Sequence, residues 1–258
     1  MQKVMCTLSY DGTNFSGFQI QPNHRTVQGE IEDALKRMHK GERIRIQSSG
    51  RTDKGVHAKK QVIHFETPLH LRPPKWKKAL NVLLPKDIKL NEVFFVPPTF
   101  HARFDAIEKE YRYFVLNRAE RDIFQQNYTY FDSSTFEVEK MQRACQKFVG
   151  THDFTSFCSA RATVKGSKVR TLYAVNCEAH GDKIIFSLRG NGFLYHMVRI
   201  IVSVLLDIGK GKLELEEVDR IFAEKDRRTA GTTIPPQGLF LWDVHYDLHK
   251  EKIIDIND

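Results

Sequence analysis

The chain has 258 residues, enough for one large domain or two moderate ones with a sizeable core. Its composition, 41% hydrophobic and 28% charged, is ordinary for a soluble globular protein. Forty Lys and Arg against 32 Asp and Glu leave a net charge of +8, which tilts the expected partner toward a polyanion. Cys6, Cys145, Cys158 and Cys177 form no CxxC pair and no apolar signal segment opens the sequence, so reduced thiols and a cytoplasmic location are expected. The sequence has neither an HExxH nor a Cys/His cluster with zinc-ligand spacing, and it lacks the glycine-rich phosphate loops of ATP- or NAD-binding proteins.

In chain order, Val4 to Tyr10 is predicted as a first strand, closed by the turn signal Asp11-Gly12. A polar loop with Phe15, Gly17, Phe18, Gln19 and Gln21 leads to Thr26, an N-cap for a helix with Val27, Ile31, Ala34, Leu35 and Met38 on one face. Ile44 and Ile46 then alternate as a short strand, and Val62, Ile63 and Phe65 mark another. Between them lies Ser48-Ser49-Gly50-Arg51-Thr52-Asp53-Lys54-Gly55-Val56-His57-Ala58, with one carboxylate and two cations bracketed by glycines. An ordinary turn is built from the same residue types, so spacing leaves both a turn and a catalytic loop open.

A helix is predicted from Pro74 to Leu84, with strands at Ile88 to Val96 and Tyr111 to Leu116. A helix from Ser134 or Thr135 to Val149 follows, then strands at Leu172 to Cys177 and Ile184 to Leu188. The order repeats coarsely, giving an α+β chain of two similar halves, residues 1–104 and 105–247, with a patternless tail at 248–258 that is expected to fray. Phe193 to Ile208 reads as a helix apolar nearly all round and hence buried; at about sixteen residues and carrying Arg199, it is a poor membrane span. A helix at Leu215 to Phe222 and a strand at Leu239 to Tyr246 complete the pattern.

A buried guanidinium keeps its proton, so Arg199 calls for a carboxylate unless its end of the helix opens to solvent. Asp53 is the candidate, either as an ionised catalytic group or as half of a structural ion pair. Tyr111 and Tyr113 share a strand face, as base-stacking rings do and as core tyrosines also do. Basic windows occur at Lys36, Arg37, Lys40, Arg43 and Arg45; at Arg72, Lys75, Lys77 and Lys78; and at Arg161, Lys165, Lys168 and Arg170. Each alone is a solvated face, whereas three in a net-positive chain suggest a phosphate track.

Gly50-Arg51-Thr52-Asp53-Lys54-Gly55-Val56-His57-Ala58 closely resembles the active-site loop of the tRNA pseudouridine synthase A (TruA) family. Tyr10-Asp11-Gly12, Phe100-His101-Ala102-Arg103-Phe104, Tyr111-Arg112-Tyr113, His152-Asp153-Phe154-Thr155-Ser156-Phe157 and His196-Met197-Val198-Arg199 match that family in order, over about residues 3 to 247. The resemblance implies two ferredoxin-like halves whose antiparallel or mixed sheets join around a central cleft, and a homodimer that binds tRNA. It implies cofactor-free, metal-free isomerisation of uridine to pseudouridine in the anticodon stem-loop, with the target base flipped out. By position, Asp53 is the catalytic aspartate, Tyr111 the tyrosine that stacks on the base and Arg199 the basic partner.

Candidate RNA contacts are Arg51, His57, Arg103, Arg161, Lys165, Lys168 and Arg170. Lys54, Ile200 and Ser203 depart from the family's usual small residue, asparagine and glycine. A non-catalytic RNA-binding module on the same fold is the competing reading. A glycosidase or nuclease would need a second catalytic carboxylate or a metal cluster, for which Glu66 and Asp105 are available in name only.

Overall fold

The computed structural model describes residues 1–160 and 166–247. The chain divides into two compact α+β units, one formed by Met1–Ile107 with the stretch from Leu241 onward and the other by Glu108–Phe240. Arg161, Lys165 and the tail at 248–258 lie outside the described residues.

In the first unit β1 (Gln2–Tyr10) is followed by α1 (Val27–Met38), β2 (Gln47–Ser48), β3 (His57–Thr67), α2 (Pro73–Leu83) and β4 (Ile88–Phe95). β1 pairs antiparallel with both β3 and β4, and β2 pairs antiparallel with β3. Thr26 caps α1 as expected, its side chain accepting from the Gly29 N–H, and Val27, Ile31, Ala34 and Leu35 form the buried face. Trp76 of α2 is fully buried and meets Phe65 of β3 edge-on at 5.5 Å.

The strand expected at Ile44 to Ile46 does not form; the ladder begins only at Gln47. Both isoleucines are still buried. The Ile46 N–H donates to Glu32 Oε1 of α1 at 3.3 Å, a side-chain partner in place of a strand partner. Glu32, itself buried, also accepts from Gln28 Nε2 at 2.8 Å.

The second unit holds β5 (Ala106–Leu116), which begins in the first, then β6 (Tyr130–Phe131), α3 (Val138–Gln146), β7 (Gly150–Asp153), β8 (Val169–His180), β9 (Lys183–Gly190), α4 (Met197–Gly209) and α5 (Glu217–Glu224). Its sheet runs β5-β9-β8-β7 through antiparallel pairs, with β6 parallel to β5. The His152 to Phe157 motif is largely architectural here. Asp153 accepts from the Thr155 N–H and hydroxyl, which sets a short 3-10 turn, while Phe154 and Phe157 join Phe148 and Phe222 in an aromatic cluster. The last strand, β10 (Leu239–Tyr246), from Leu241 onward lies beside β3 in the first unit, where Asp243 pairs with Lys60 at 2.8 Å and the Tyr246 hydroxyl donates to the Ala102 carbonyl at 2.6 Å.

All four cysteines are unbridged and buried, and burial pushes their thiols up. Among the described residues no helix is long and apolar enough to cross a membrane.

Candidate active site

Asp53 sits half-buried in the loop between β2 and β3. The Val56 N–H donates to the Asp53 carbonyl at 3.1 Å, closing a four-residue turn whose third residue, Gly55, has φ of +77°. That angle is the one a type II turn demands at this place and the reason glycine follows Lys54. The carboxylate therefore stands at the first position of a tight turn, flanked by exposed Arg51 and Lys54.

The loop is seated on the segment after β1. The Phe18 N–H donates to the Thr52 carbonyl at 3.0 Å and the Gly55 N–H to the Phe15 carbonyl at 3.4 Å. Gly12 runs so close to the loop that a Cβ there would lie 2.0 Å from the Val56 carbonyl oxygen. Gly12→Ala is accordingly expected to destabilise the protein by roughly 2–4 kcal/mol, because backbone meets backbone and neither can rotate away. Urea unfolding checks this, and an unchanged midpoint would show that the approach has slack.

Beneath the N-terminal half of the loop lies a buried polar network. The Tyr10 hydroxyl and Thr52 Oγ1 are 2.8 Å apart, and Gln61 of β3 places its amide between Ser49 Oγ at 2.6 Å and the Gly50 carbonyl at 2.9 Å. Gln61 carries a single signal in the sequence, a polar residue entering the apolar run Val62, Ile63, Phe65.

In the second unit Tyr111 and Tyr113 share the buried face of β5, as the alternation predicts. Tyr111 stands opposite Leu188 and meets Phe193 edge-on at 5.0 Å. Tyr113 is fully enclosed; its hydroxyl donates to the Pro235 carbonyl at 2.7 Å, and burial pushes its ionisation well up, against the pull of the Arg199 charge.

Arg199 is not in the middle of a buried helix. α4 begins at Met197, because residues 193–196 stay outside it and His196 takes a left-handed φ of +65° at the cap. The guanidinium thus lies in the first turn, half-buried, with Nε donating to the Ile234 carbonyl at 2.7 Å. This end of a helix stabilises negative charge, and a guanidinium beside it adds to that preference. Of the departures, Ile200 and Ser203 are buried in α4, with Ser203 Oγ 3.3 Å from Thr232 Oγ1, and Lys54 is exposed.

The proposed RNA contacts divide. Arg51 and Arg103 are exposed, Lys168 and Arg170 half-buried. His57 is instead enclosed, 1% exposed, and its Nδ1 accepts from the Gly12 N–H at 3.0 Å, so in this fold its ring seats the loop. The exposed cations of α1 and its following turn, Lys36, Lys40, Arg43 and Arg45, and those of α2, Lys75, Lys77 and Lys78, face solvent as the windows suggest. Among the described residues no group of three or more His, Cys, Asp or Glu is arranged to hold a metal ion.

His64 of β3 shapes the neighbouring Phe100 to Phe104 motif. Its Nδ1 accepts from the Ala102 N–H at 3.1 Å, and its ring lies 4.9 Å from that of His101. Burial first, then the nearby His101 and Lys3, push the imidazole from 6.5 down to about 4. Between those pH values the unfolded chain binds more protons than the folded one, so stability present above pH 6.5 falls as pH drops toward 4. Melting temperatures taken across this window should fall less in His64→Asn, whose amide can still accept from Ala102; an equal slope would show that other groups govern the acid limb.

Comparison with known proteins bears on both units. A family model described as tRNA pseudouridine synthase matches residues 7–105 and 144–247. The chain is 55% identical over 247 residues to the tRNA pseudouridine synthase A of Oceanobacillus iheyensis, covering 96% of this chain and 98% of the relative. It is 54% identical over 246 residues to that of a Geobacillus species, covering 95% and 99%. Among solved structures, a chain of a Cbf5-Nop10-Gar1 complex aligns over 78% of this chain and 54% of its own, at 13% identity and a TM-score of 0.35, too distant to bear on the site.

Proposed function

From the premise that the chain belongs to the tRNA pseudouridine synthase family, we propose that it converts uridine to pseudouridine in the anticodon stem-loop of tRNA, with Asp53 as the catalytic carboxylate. The observation that carries the reading is the loop itself: a half-buried aspartate at the head of a glycine turn, held by backbone hydrogen bonds, inside the stretch matched by the family model.

The reaction breaks the N-glycosidic bond, turns the uracil while it is held, and joins C5 to the ribose C1′; the C5 proton then leaves to solvent and N1 takes one up, so the composition is unchanged. A base inside a stack is out of reach, so the target nucleotide is flipped out at a cost of a few kcal/mol, recovered in pocket and backbone contacts. Asp53 either attacks C1′ or removes a ribose proton; both need the ionised carboxylate. Tyr111, with its ring fixed edge-on by Phe193, stacks on the flipped base, and Arg199 at the head of α4 supplies the cation. The working unit is a homodimer in this reading, which sedimentation of the pure protein tests.

Release of tritium from C5-labelled uridine in anticodon stem-loop RNA tests the activity. Release by the wild-type chain from uridines at nominal tRNA positions 38 to 40, lost in its Asp53→Asn variant, supports the proposal. Tight tRNA binding with no release, and no change in nucleoside composition, would favour the non-catalytic RNA-binding reading instead.

A further inference from the structure

We propose that Gln61 is the positioning residue of the Asp53 loop: its buried amide, together with Tyr10, sets the path of Ser49 to Thr52 and through it the placement of the carboxylate. The inference rests on the proposed function and deepens it.

The loop's N-terminal half has no apolar side chain with which to anchor itself. Ser48, Ser49, Gly50, Arg51 and Thr52 precede Asp53 without a single aliphatic or aromatic residue. Packing cannot hold such a segment, so hydrogen bonds must. Gln61 is fully buried, and both ends of its amide are used. Oε1 accepts from Ser49 Oγ at 2.6 Å and from the Val62 N–H at 3.1 Å, while Nε2 donates to the Gly50 carbonyl at 2.9 Å and toward the Tyr10 hydroxyl at 3.5 Å. Only this orientation of the amide satisfies both a carbonyl and an N–H. The Tyr10 hydroxyl, 2.8 Å from Thr52 Oγ1, extends the network past Arg51 to the residue before Asp53.

The strands are shaped for this. β1 and β3 slip register between Leu8, opposite Gln61, and Tyr10, opposite Ala58. Such irregularities re-aim side chains beside functional sites. A buried amide is costlier than a hydrocarbon unless fully paired, so the position favours glutamine only for the bonds it makes. The turn after Asp53 is held differently, by the Gly55 N–H bond to the Phe15 carbonyl, and Thr52 also accepts from the Phe18 N–H; no substitution at Gln61 touches these main-chain contacts. Removing the amide therefore loosens one side of Asp53 while the other stays seated.

The test uses the full chain carrying Gln61→Met, Gln61→Glu, Tyr10→Phe or Ser49→Ala. Three quantities are read: single-turnover pseudouridine formation at saturating tRNA, tRNA affinity, and hydrogen exchange of peptides spanning residues 48–56. Gln61→Met is expected to lower the saturated rate about 10²-fold, the usual consequence of a misplacement near 1 Å, with affinity within about threefold and faster exchange confined to the loop. Gln61→Glu keeps the acceptors but cannot donate to Gly50, and should resemble Gln61→Met. Tyr10→Phe should lose about tenfold, and Ser49→Ala less.

Wild-type rates and loop exchange in both Gln61→Met and Tyr10→Phe would overturn the inference. So would a rate loss that tracks the unfolded fraction with loop exchange unchanged. Should Gln61→Met fail to fold, Tyr10→Phe and Ser49→Ala decide by the same readings. A wild-type protein that forms no pseudouridine would defeat the proposed function, and loop exchange alone would then decide whether Gln61 orders the loop.

Discussion

Asp53→Asn is expected to lower single-turnover pseudouridine formation by about 10⁴-fold or more, the scale on which enzymes lose rate when a reacting side chain is replaced. In barrier terms this is roughly 5.5 kcal/mol. The change is nearly isosteric, and the bond that closes the turn uses the Asp53 carbonyl, which the substitution leaves in place. The loop should therefore keep its shape. What is lost is the anionic oxygen, required whether Asp53 attacks C1′ or removes a ribose proton. Affinity for tRNA should hold or improve, because a negative charge leaves a surface that meets phosphates. Rapid-quench measurement of tritium release checks the rate and filter binding the affinity; an Asn variant within tenfold of wild type would remove Asp53 from the chemistry.

The second large effect is of salt. Affinity for tRNA should fall about 10³-fold between 50 and 200 mM monovalent salt, as expected where six or so cations each displace a counterion. Those six or so are drawn from Lys36, Lys40, Arg43 and Arg45 around the end of α1, Lys75, Lys77 and Lys78 on α2, and Arg51 and Arg103, all exposed. Not every member of the windows is equally available: the Arg37 guanidinium donates to the Leu83 carbonyl at 2.8 Å, and Arg43 lies 3.5 Å from Glu32. Charge reversal on α2, such as Lys77→Glu with Lys78→Glu, should flatten the slope as well as weaken binding. A response to salt that is flat from the outset would contradict a phosphate track.

The elements themselves were largely legible. The period of Val27, Ile31, Ala34 and Leu35 behind Thr26 located the start and buried face of α1, and the alternation of Ile184, Phe186 and Leu188 located β9. Those signals are local, so they survive without knowledge of the partner. The strand expected at Ile44 to Ile46 failed because its N–H has a competing partner, Glu32, on a preceding helix. The start of α4 was set too early, at Phe193, because apolar pattern continues through Phe193 and Leu194 although the backbone does not turn helical until past His196.

The Asp53 loop shows where local reading ends. Glycines bracketing a carboxylate, and the ordered motifs around it, were enough to mark the stretch as chemical and to name its family. How the loop is held could be known only from the folded chain. Tyr10 reaches Thr52 across 42 positions and Gln61 reaches back to Tyr10 across 51. Hydrogen bonds over such separations leave no periodicity behind them, because their partners are chosen by strand register and the slip between β1 and β3 rather than by neighbours along the chain. The same holds for β10, whose residues from Leu241 onward join the unit in which the chain began. Side-chain period marks a strand, but only packing chooses the sheet it enters.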